Sequence, residues 1–331
     1  MRVAVLGAGA VGGTLAALLD RAGHSLEVTA RGAHLAAIQA SGLRLTGAWG
    51  DHVAAVWAGD ALAAVPDLAI LATKAHDAEA ALRPNAALLD GVPLVVVQNG
   101  LAGLERAAEA APGSPLVGGL ALFAASLSSP GEITVTAAAG LCLGGDDDAA
   151  LELAARAFDD VLSVTRTDDF AGAQWTKLVI NQVNALPAIT GLSVQQVVAD
   201  RALRRILTLG MLETVRVGRA KDVTFAPLQH LDDRVLRRMI RLPVPFAELV
   251  PRKMAARMGD VPNPASTLQS IRRGAATEID HLAGAVVDAA HGTGVPVPVN
   301  AAMVELVHEV ERTGRFLTPE EVVVRLDSIG G

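Results

Sequence analysis

Gly7-Ala-Gly-Ala-Val-Gly12 follows directly on the apolar run at residues 2–6 and opens a helix-favouring segment at residues 11–22. The run suits a buried parallel strand, and G-x-G-x-x-G is the spacing of a phosphate-binding turn between strand and helix. Gly7 permits a tight turn, Gly9 lets a pyrophosphate approach the backbone, and Gly12 lets helix and strand pack closely. The alternative is a glycine-rich turn that binds nothing. The predicted dinucleotide-binding residues are Gly7, Ala8, Gly9, Ala10, Val11 and Gly12.

Strands and helices alternate through the first half of the chain. Strands are predicted at residues 2–6, 25–30, 67–72 and 92–97, with further strands and turns at 115–145. Helical stretches separate several of these strands, which is typical of a doubly wound, mostly parallel sheet. We therefore expect an α/β protein whose N-terminal domain, residues 1–167, is of the Rossmann type.

After about residue 165 the pattern becomes helical, and we expect an all-helical C-terminal domain over residues 168–331. Helical periodicity runs through residues 168–186, 196–221, 229–241, 265–291 and 299–313. Five prolines within residues 242–264 predict an irregular connection there.

Composition excludes several classes of protein. The 331 residues are 51% hydrophobic and 19% charged, which excludes global disorder, and a net charge of -7 argues against a nucleic-acid-binding surface. The single cysteine, Cys142, excludes an intrachain disulfide, and the Cys and His spacing predicts no metal site. Glycine and proline interrupt the apolar runs, so we expect no signal peptide, no membrane span and a cytoplasmic location.

The end of the second strand selects the cofactor. NAD sites usually place an acidic residue there, whereas this strand ends at Thr29-Ala-Arg31, and Glu27 lies earlier in the strand. Arg31 could bind the 2′-phosphate of NADP through its planar guanidinium group, or it could be a solvated loop arginine. The sequence therefore favours NADP(H) in the domain of residues 1–167.

Two polar residues follow the next strands, at the carboxyl ends where open α/β sheets bind ligands. Lys74 could contact the cofactor or an anionic substrate, or it could be a surface lysine. Asn99 could bind the nicotinamide ribose or the substrate, or it could belong to an ordinary Asn-Gly turn.

A polar stripe marks the first predicted helix of the second domain. Lys177, Asn181 and Asn184 have the spacing i, i+4 and i+7 of one helix face, among apolar neighbours that would bury them. Burial would lower the pKa of the lysine and make it a usable proton donor. The stripe could also be a common polar helix face.

Further along, Ser266-Thr-Leu-Gln269 fits a capping box, and Glu278 is expected early in a helix. Glu278 could bind a substrate hydroxyl, a cofactor group or Lys177, or it could only complement the helix dipole.

Taken together, these segments resemble the ketopantoate reductases (2-dehydropantoate 2-reductases) over nearly the whole chain. The resemblance rests on the glycine turn, Thr73-Lys-Ala75, Gln98-Asn-Gly100, Trp175-Thr-Lys-Leu-Val-Ile-Asn181, Ser266-Thr-Leu-Gln-Ser-Ile-Arg-Arg273 and Thr277-Glu-Ile-Asp280. It implies an NADPH-dependent reduction of a small 2-oxo acid, most simply 2-dehydropantoate to pantoate in pantothenate biosynthesis.

The resemblance also implies a role for each matching residue. Lys177 matches the proton donor, and Glu278 a contact to substrate or cofactor that we group with the catalytic residues. Arg31, Lys74, Asn99 and Ala124 match cofactor contacts, and Asn99, Asn181, Asn184 and Ser266 match substrate contacts.

The chain departs from the family in the stripe and again at Thr190-Gly-Leu-Ser193, where a further family asparagine has no clear counterpart. A second asparagine is expected four residues after Asn181, where this chain has Ala185, and Asn184 comes one position earlier. Another 2-oxo acid, a ketone or an imine therefore stays open as the substrate, as does a non-enzymatic NADP sensor. For assembly, a homodimer is one option.

Overall fold

The computed structural model describes residues 1–259 and 261–327. The chain forms two compact units, Met1–Phe170 and a second that begins at Ala171.

The first unit contains all twelve strands of the described chain. They are β1 (Arg2–Leu6), β2 (Ser25–Thr29), β3 (Leu43–Gly47), β4 (His52–Ala54), β5 (Trp57–Gly59), β6 (Leu68–Leu71), β7 (Leu94–Val97), β8 (Leu116–Ala121), β9 (Ala124–Ser129), β10 (Glu132–Ala137), β11 (Leu141–Gly144) and β12 (Val164–Arg166). Eight form one sheet in the order β12-β11-β8-β7-β6-β1-β2-β5, and four form a smaller sheet in the order β4-β3-β10-β9.

In the larger sheet every neighbouring pair is parallel except β11 with β8. The helices of this unit are α1 (Ala10–Arg21), α2 (Gly32–Ser41), α3 (Ala78–Leu82), α4 (Ala86–Leu89), α5 (Gly103–Ala110) and α6 (Asp148–Phe158). The prediction of a doubly wound, mostly parallel sheet is confirmed.

Strand β1 is buried on both faces because its side chains alternate between two cores. Val3 and Val5 belong to a cluster with residues of α1 and α6, whereas Ala4 and Leu6 belong to a cluster with residues of α3 and α5. Such burial on both faces is why the run at the N-terminus is continuously apolar. The packing of β1 on both faces also fixes its carboxyl end, where the glycine turn begins.

The described residues of the second unit form helices and the loops between them, with no strand apart from an isolated bridge between Leu228 and Leu231. Its helices are α7 (Phe170–Asn181), α8 (Ala185–Thr190), α9 (Val194–Ala199), α10 (Arg201–Ala220), α11 (Asp233–Met239), α12 (Val244–Ala247), α13 (Leu249–Arg257), α14 (Ser266–Arg272), α15 (Ala283–Ala290), α16 (Pro298–Thr313) and α17 (Pro319–Asp327). None of the helices in the described part of the chain is long and apolar enough to cross a membrane.

The prediction of an irregular connection at residues 242–264 is wrong, because α12 and α13 lie there. Pro243 precedes α12, and Pro245 and Pro251 lie in the first turns of α12 and α13. Backbone N–H groups in a first turn have no partner within the helix, so proline removes no hydrogen bond there.

Besides the break at Asp200 between α9 and α10, two further long helical segments are interrupted. The segment at 168–186 breaks after Asn181 into a 3-10 turn, Gln182–Asn184, before α8 begins. The segment at 265–291 is divided into α14, a 3-10 turn at Ile279–His281, and α15. Both interruptions fall at candidate functional residues.

Candidate active site

The glycine turn between β1 and α1 has the backbone geometry that its sequence predicts. Gly7 has a φ of +97°, which favours glycine, and a Cβ on Gly12 would lie 2.1 Å from the carbonyl oxygen of Gly7. A Cβ on Gly9 would meet no protein atom within 4 Å. Gly9 thus keeps an open face beside the N-terminus of α1, as the approach of a pyrophosphate requires.

Two residues that the sequence did not single out hold this turn. Thr29 accepts hydrogen bonds from Gly7 N–H at Oγ1 (3.0 Å) and from Ala8 N–H at its carbonyl oxygen (2.9 Å). Nε2 of His34 lies 2.7 Å from Ala8 O, and its Nδ1 lies 2.9 Å from Gly131 N. Only the tertiary structure brings these residues to the turn, so no local motif could have revealed them.

Arg31 lies immediately before α2 and is well exposed, with its guanidinium group 3.7 Å from the carboxylate of Asp77. Glu27, in contrast, is buried and bonded to Arg2 (3.1 Å) and to the backbone N–H of Ala63. Its carboxylate is occupied within the protein, so the second strand presents a cation and no free acid at its carboxyl end.

Lys74 and Asn99 follow β6 and β7, which are parallel neighbours in the sheet. Both residues are partly buried. Gln98, a residue without a predicted role, is buried and donates from Nε2 to Thr73 O at 2.9 Å, which ties the two strand ends together. Ala124 begins β9 in the smaller sheet, where it pairs with Ala137.

In the second unit, Lys177 and Asn181 lie one turn apart on α7, as the stripe predicts. Lys177 is partly buried, and desolvation lowers its pKa from 10.5 to about 8. A lysine with such a pKa holds a proton at neutral pH and releases it more readily than an ordinary lysine.

Asn184 does not continue the face of α7, because it lies in the 3-10 turn that follows. It is buried, and its Nδ2 donates to Asn181 O at 2.9 Å. Its Oδ1 accepts from both Ser266 N–H and Ser266 Oγ–H, each at 3.1 Å.

The capping-box interpretation of Ser266 is wrong. The cap position of α14 is occupied by Ala265, and Ser266 is the first residue of the helix. Its hydroxyl donates to Asn184 instead, since long-range tertiary contacts compete successfully with local capping.

Glu278 is likewise not within a helix but directly before the 3-10 turn Ile279–His281. Hydrogen bonds tie the segment around it to α16. Thr277 N–H donates to Glu311 Oε1 at 2.8 Å, and His308 lies 2.9 Å from Asp280 Oδ1.

Comparison with known proteins identifies the family. Residues 3–147 match the family described as ketopantoate reductase PanE/ApbA, and residues 169–311 match its C-terminal part. The chain belongs to the ketopantoate reductase family. The predicted resemblance is therefore confirmed.

Two of its relatives cover both units. A 2-dehydropantoate 2-reductase of Mesorhizobium japonicum is 32% identical over 94% of this chain and 98% of its own length. The solved structure of a PanE/ApbA family ketopantoate reductase from Ralstonia eutropha is 30% identical, with a TM-score of 0.80, and covers 94% of this chain and 99% of the other.

Members of the family are oxidoreductases that act on CH–OH or C=O groups with NADP(H). The predictions of an oxidoreductase and of a nicotinamide cofactor are thereby confirmed. The role of each candidate residue stays a prediction.

Proposed function

We propose that the chain reduces a 2-oxo acid with NADPH, and that this substrate is 2-dehydropantoate, which becomes pantoate in pantothenate biosynthesis. The observation that carries the proposal is Lys177, a partly buried lysine of lowered pKa one helical turn from the amide of Asn181. The names of the relatives point to the same substrate.

The first unit supplies residues that fit the cofactor. The open face of Gly9 fits the pyrophosphate at the start of α1, and exposed Arg31 fits the 2′-phosphate. Lys74, Asn99 and Ala124 are proposed to complete the cofactor contacts. When bound, NADPH supplies the hydride that adds to the carbonyl carbon of the substrate.

Lys177 is proposed to donate a proton to the carbonyl oxygen of the substrate as that oxygen becomes an alkoxide. The ammonium group also stabilises the negative charge on that oxygen before the proton moves. The substrate is bound by Asn181, Asn99 and Ser266. Glu278 contacts the substrate or the cofactor. The product carries one added hydride on carbon and one added proton on oxygen, so the reduction is balanced.

The departure from the family pattern at Asn184 and Ala185 affects which substrate is bound rather than which reaction is performed. It keeps another 2-oxo acid as the alternative within the same chemistry. Small-molecule substrates are the only partners that the proposal requires. The cytoplasmic location and the homodimer stay predictions.

The test is NADPH oxidation, followed by absorbance, with 2-dehydropantoate and a panel of other 2-oxo acids. Rapid turnover with 2-dehydropantoate is expected. Turnover with only a different 2-oxo acid would overturn the assignment of 2-dehydropantoate as the substrate. Turnover that needs ammonium would indicate that the substrate is an imine. Tight NADPH binding with no turnover on any compound would overturn the proposal in favour of a sensor.

A further inference from the structure

Ala265 has a backbone conformation that alanine rarely adopts. Its φ of 59° and ψ of 160° lie in a region used almost only by glycine, and the residue is buried. Such a conformation persists only where surrounding contacts impose it, and it is found most often at functional sites. Ala265 directly precedes Ser266, a proposed substrate ligand.

Two asparagines impose this conformation from either side. Asn263 Oδ1 accepts from Ala265 N–H at 2.9 Å, and Asn184 Oδ1 accepts from Ser266 N–H at 3.1 Å. The amide N–H groups before and after the strained Cα are therefore both held by side chains.

The orientation of the Asn184 amide is fixed by backbone groups. Its Nδ2 must face the carbonyl oxygen of Asn181, an acceptor, and its Oδ1 must face Ser266 N–H, a donor. The 3-10 turn allows this bond because it places residues three apart directly above one another. Ser266 Oγ must then donate its proton to the same Oδ1.

We infer that Asn184 is a positioning residue, which acts on the reaction by holding the strained Ala265 backbone and the hydroxyl of Ser266 in place. Both lone pairs of Asn184 Oδ1 are used by Ser266, so this oxygen holds Ser266 and has no lone pair left for the substrate. Ser266 is exposed, whereas Asn184 is 8% exposed, as this arrangement requires. The inference rests on the proposed role of Ser266 as a substrate ligand.

A double-mutant cycle in kcat/KM tests it, with Asn184→Ala, Ser266→Ala and the double variant. Each single variant is expected to lose about tenfold in kcat/KM, the scale of one functional hydrogen bond. Because Asn184 acts through Ser266, the double variant should stay within about twofold of Ser266→Ala. Losses that multiply would show that Asn184 contacts the substrate by itself and would overturn the inference.

Hydrogen exchange of the peptide around Ser266 gives a readout that does not depend on activity. Exchange of the Ser266 amide should become faster in Asn184→Ala, even if the chain proves to have another substrate. Unchanged exchange would overturn the inference whatever the proposed function. An inactive wild type with faster exchange in the variant would instead overturn only the proposed function.

Asn85 provides a matched control in the other unit. It is buried, accepts from Leu62 N–H (2.8 Å) and donates to Ala81 O (2.7 Å), so it makes the same kind of bonds as Asn184. Asn85→Ala should lower Tm as Asn184→Ala does, without faster exchange at Ser266. Its effect on kcat/KM, measured on folded protein, should be additive with that of Ser266→Ala.

If Asn184→Ala fails to fold, Ala265→Gly tests the same arrangement without removing a buried polar group. Glycine relieves the strain, so Tm should rise by roughly 2–4 °C while KM increases and kcat changes little. A lower Tm would show that Ala265 carries no strain and would overturn the inference.

Discussion

His34 Nε2 donates a hydrogen bond of 2.7 Å to the carbonyl oxygen of Ala8, the central residue of the first Gly-x-Gly step. Its Nδ1 accepts from Gly131 N–H at 2.9 Å, in the turn between β9 and β10. A carbonyl can only accept and an N–H can only donate, so the ring is the neutral tautomer with its proton on Nε2. One side chain thus joins the glycine turn, α2 and the smaller sheet.

Replacing His34 by Ala should weaken NADPH binding by about tenfold, because Ala8 loses a hydrogen bond that fixes the turn. The change should appear in the KM for NADPH and leave kcat nearly unaltered. His52→Ala is the matched control, since the His52 side chain also makes a tertiary hydrogen bond, to Asp20 at 2.8 Å, away from the turn. Equal NADPH affinity in the two variants would contradict the role of His34.

Gly9 and Gly12 should respond in opposite ways to the same substitution. The methyl group added in Gly9→Ala would meet no protein atom within 4 Å, and Gly9 has an ordinary φ of -68°. The Tm without cofactor should therefore be unchanged. NADPH binding should fall by more than about tenfold, because the methyl group occupies the approach of the pyrophosphate. Gly12→Ala should lower Tm, since its Cβ would lie 2.1 Å from Gly7 O. Thermal melts with and without NADPH distinguish the two effects.

The sequence predicts the glycine turn and the sheet because both depend on local signals. Runs of four apolar residues in β1, β6 and β7, and glycines at fixed spacing, are visible without any tertiary contact. Alternating strands and helices then restrict the connections to a doubly wound sheet. The same reasoning places Lys177 and Asn181 together, because they lie within one unbroken helix.

The predictions failed where tertiary contacts override local preference. Ser266 has the sequence of a helix cap, yet its hydroxyl is taken by Asn184, 82 residues away in the chain. The stripe breaks at the 3-10 turn before Asn184, and Glu278 lies outside the helix expected for it. His34 was missed for the same reason, since its two partners are 26 and 97 residues away.

Arg31→Ala should weaken the binding of NADPH by roughly 10- to 100-fold and leave the binding of NADH almost unchanged. The reason is that only NADPH carries the 2′-phosphate that the guanidinium group would bind. Asp77→Asn should have the opposite effect, since it removes the carboxylate 3.7 Å from Arg31 that competes with the phosphate. Dissociation constants for the two cofactors measure both changes. An equal loss of affinity for NADPH and NADH in Arg31→Ala would refute the role of Arg31 in binding the 2′-phosphate.

The lowered pKa of Lys177 predicts how the reduction depends on pH. Lys177 donates a proton, so kcat/KM should be level below its pKa of about 8 and fall about tenfold per pH unit above it. Lys177→Met, which keeps most of the apolar stem, should lower kcat by about 10² or more and abolish that fall. Lys253→Ala is the control, because Lys253 is exposed on α13 and should leave both the rate and the pH profile unchanged. A fall above pH 8 that persists in Lys177→Met would assign the titration to another group and exclude Lys177 as the proton donor.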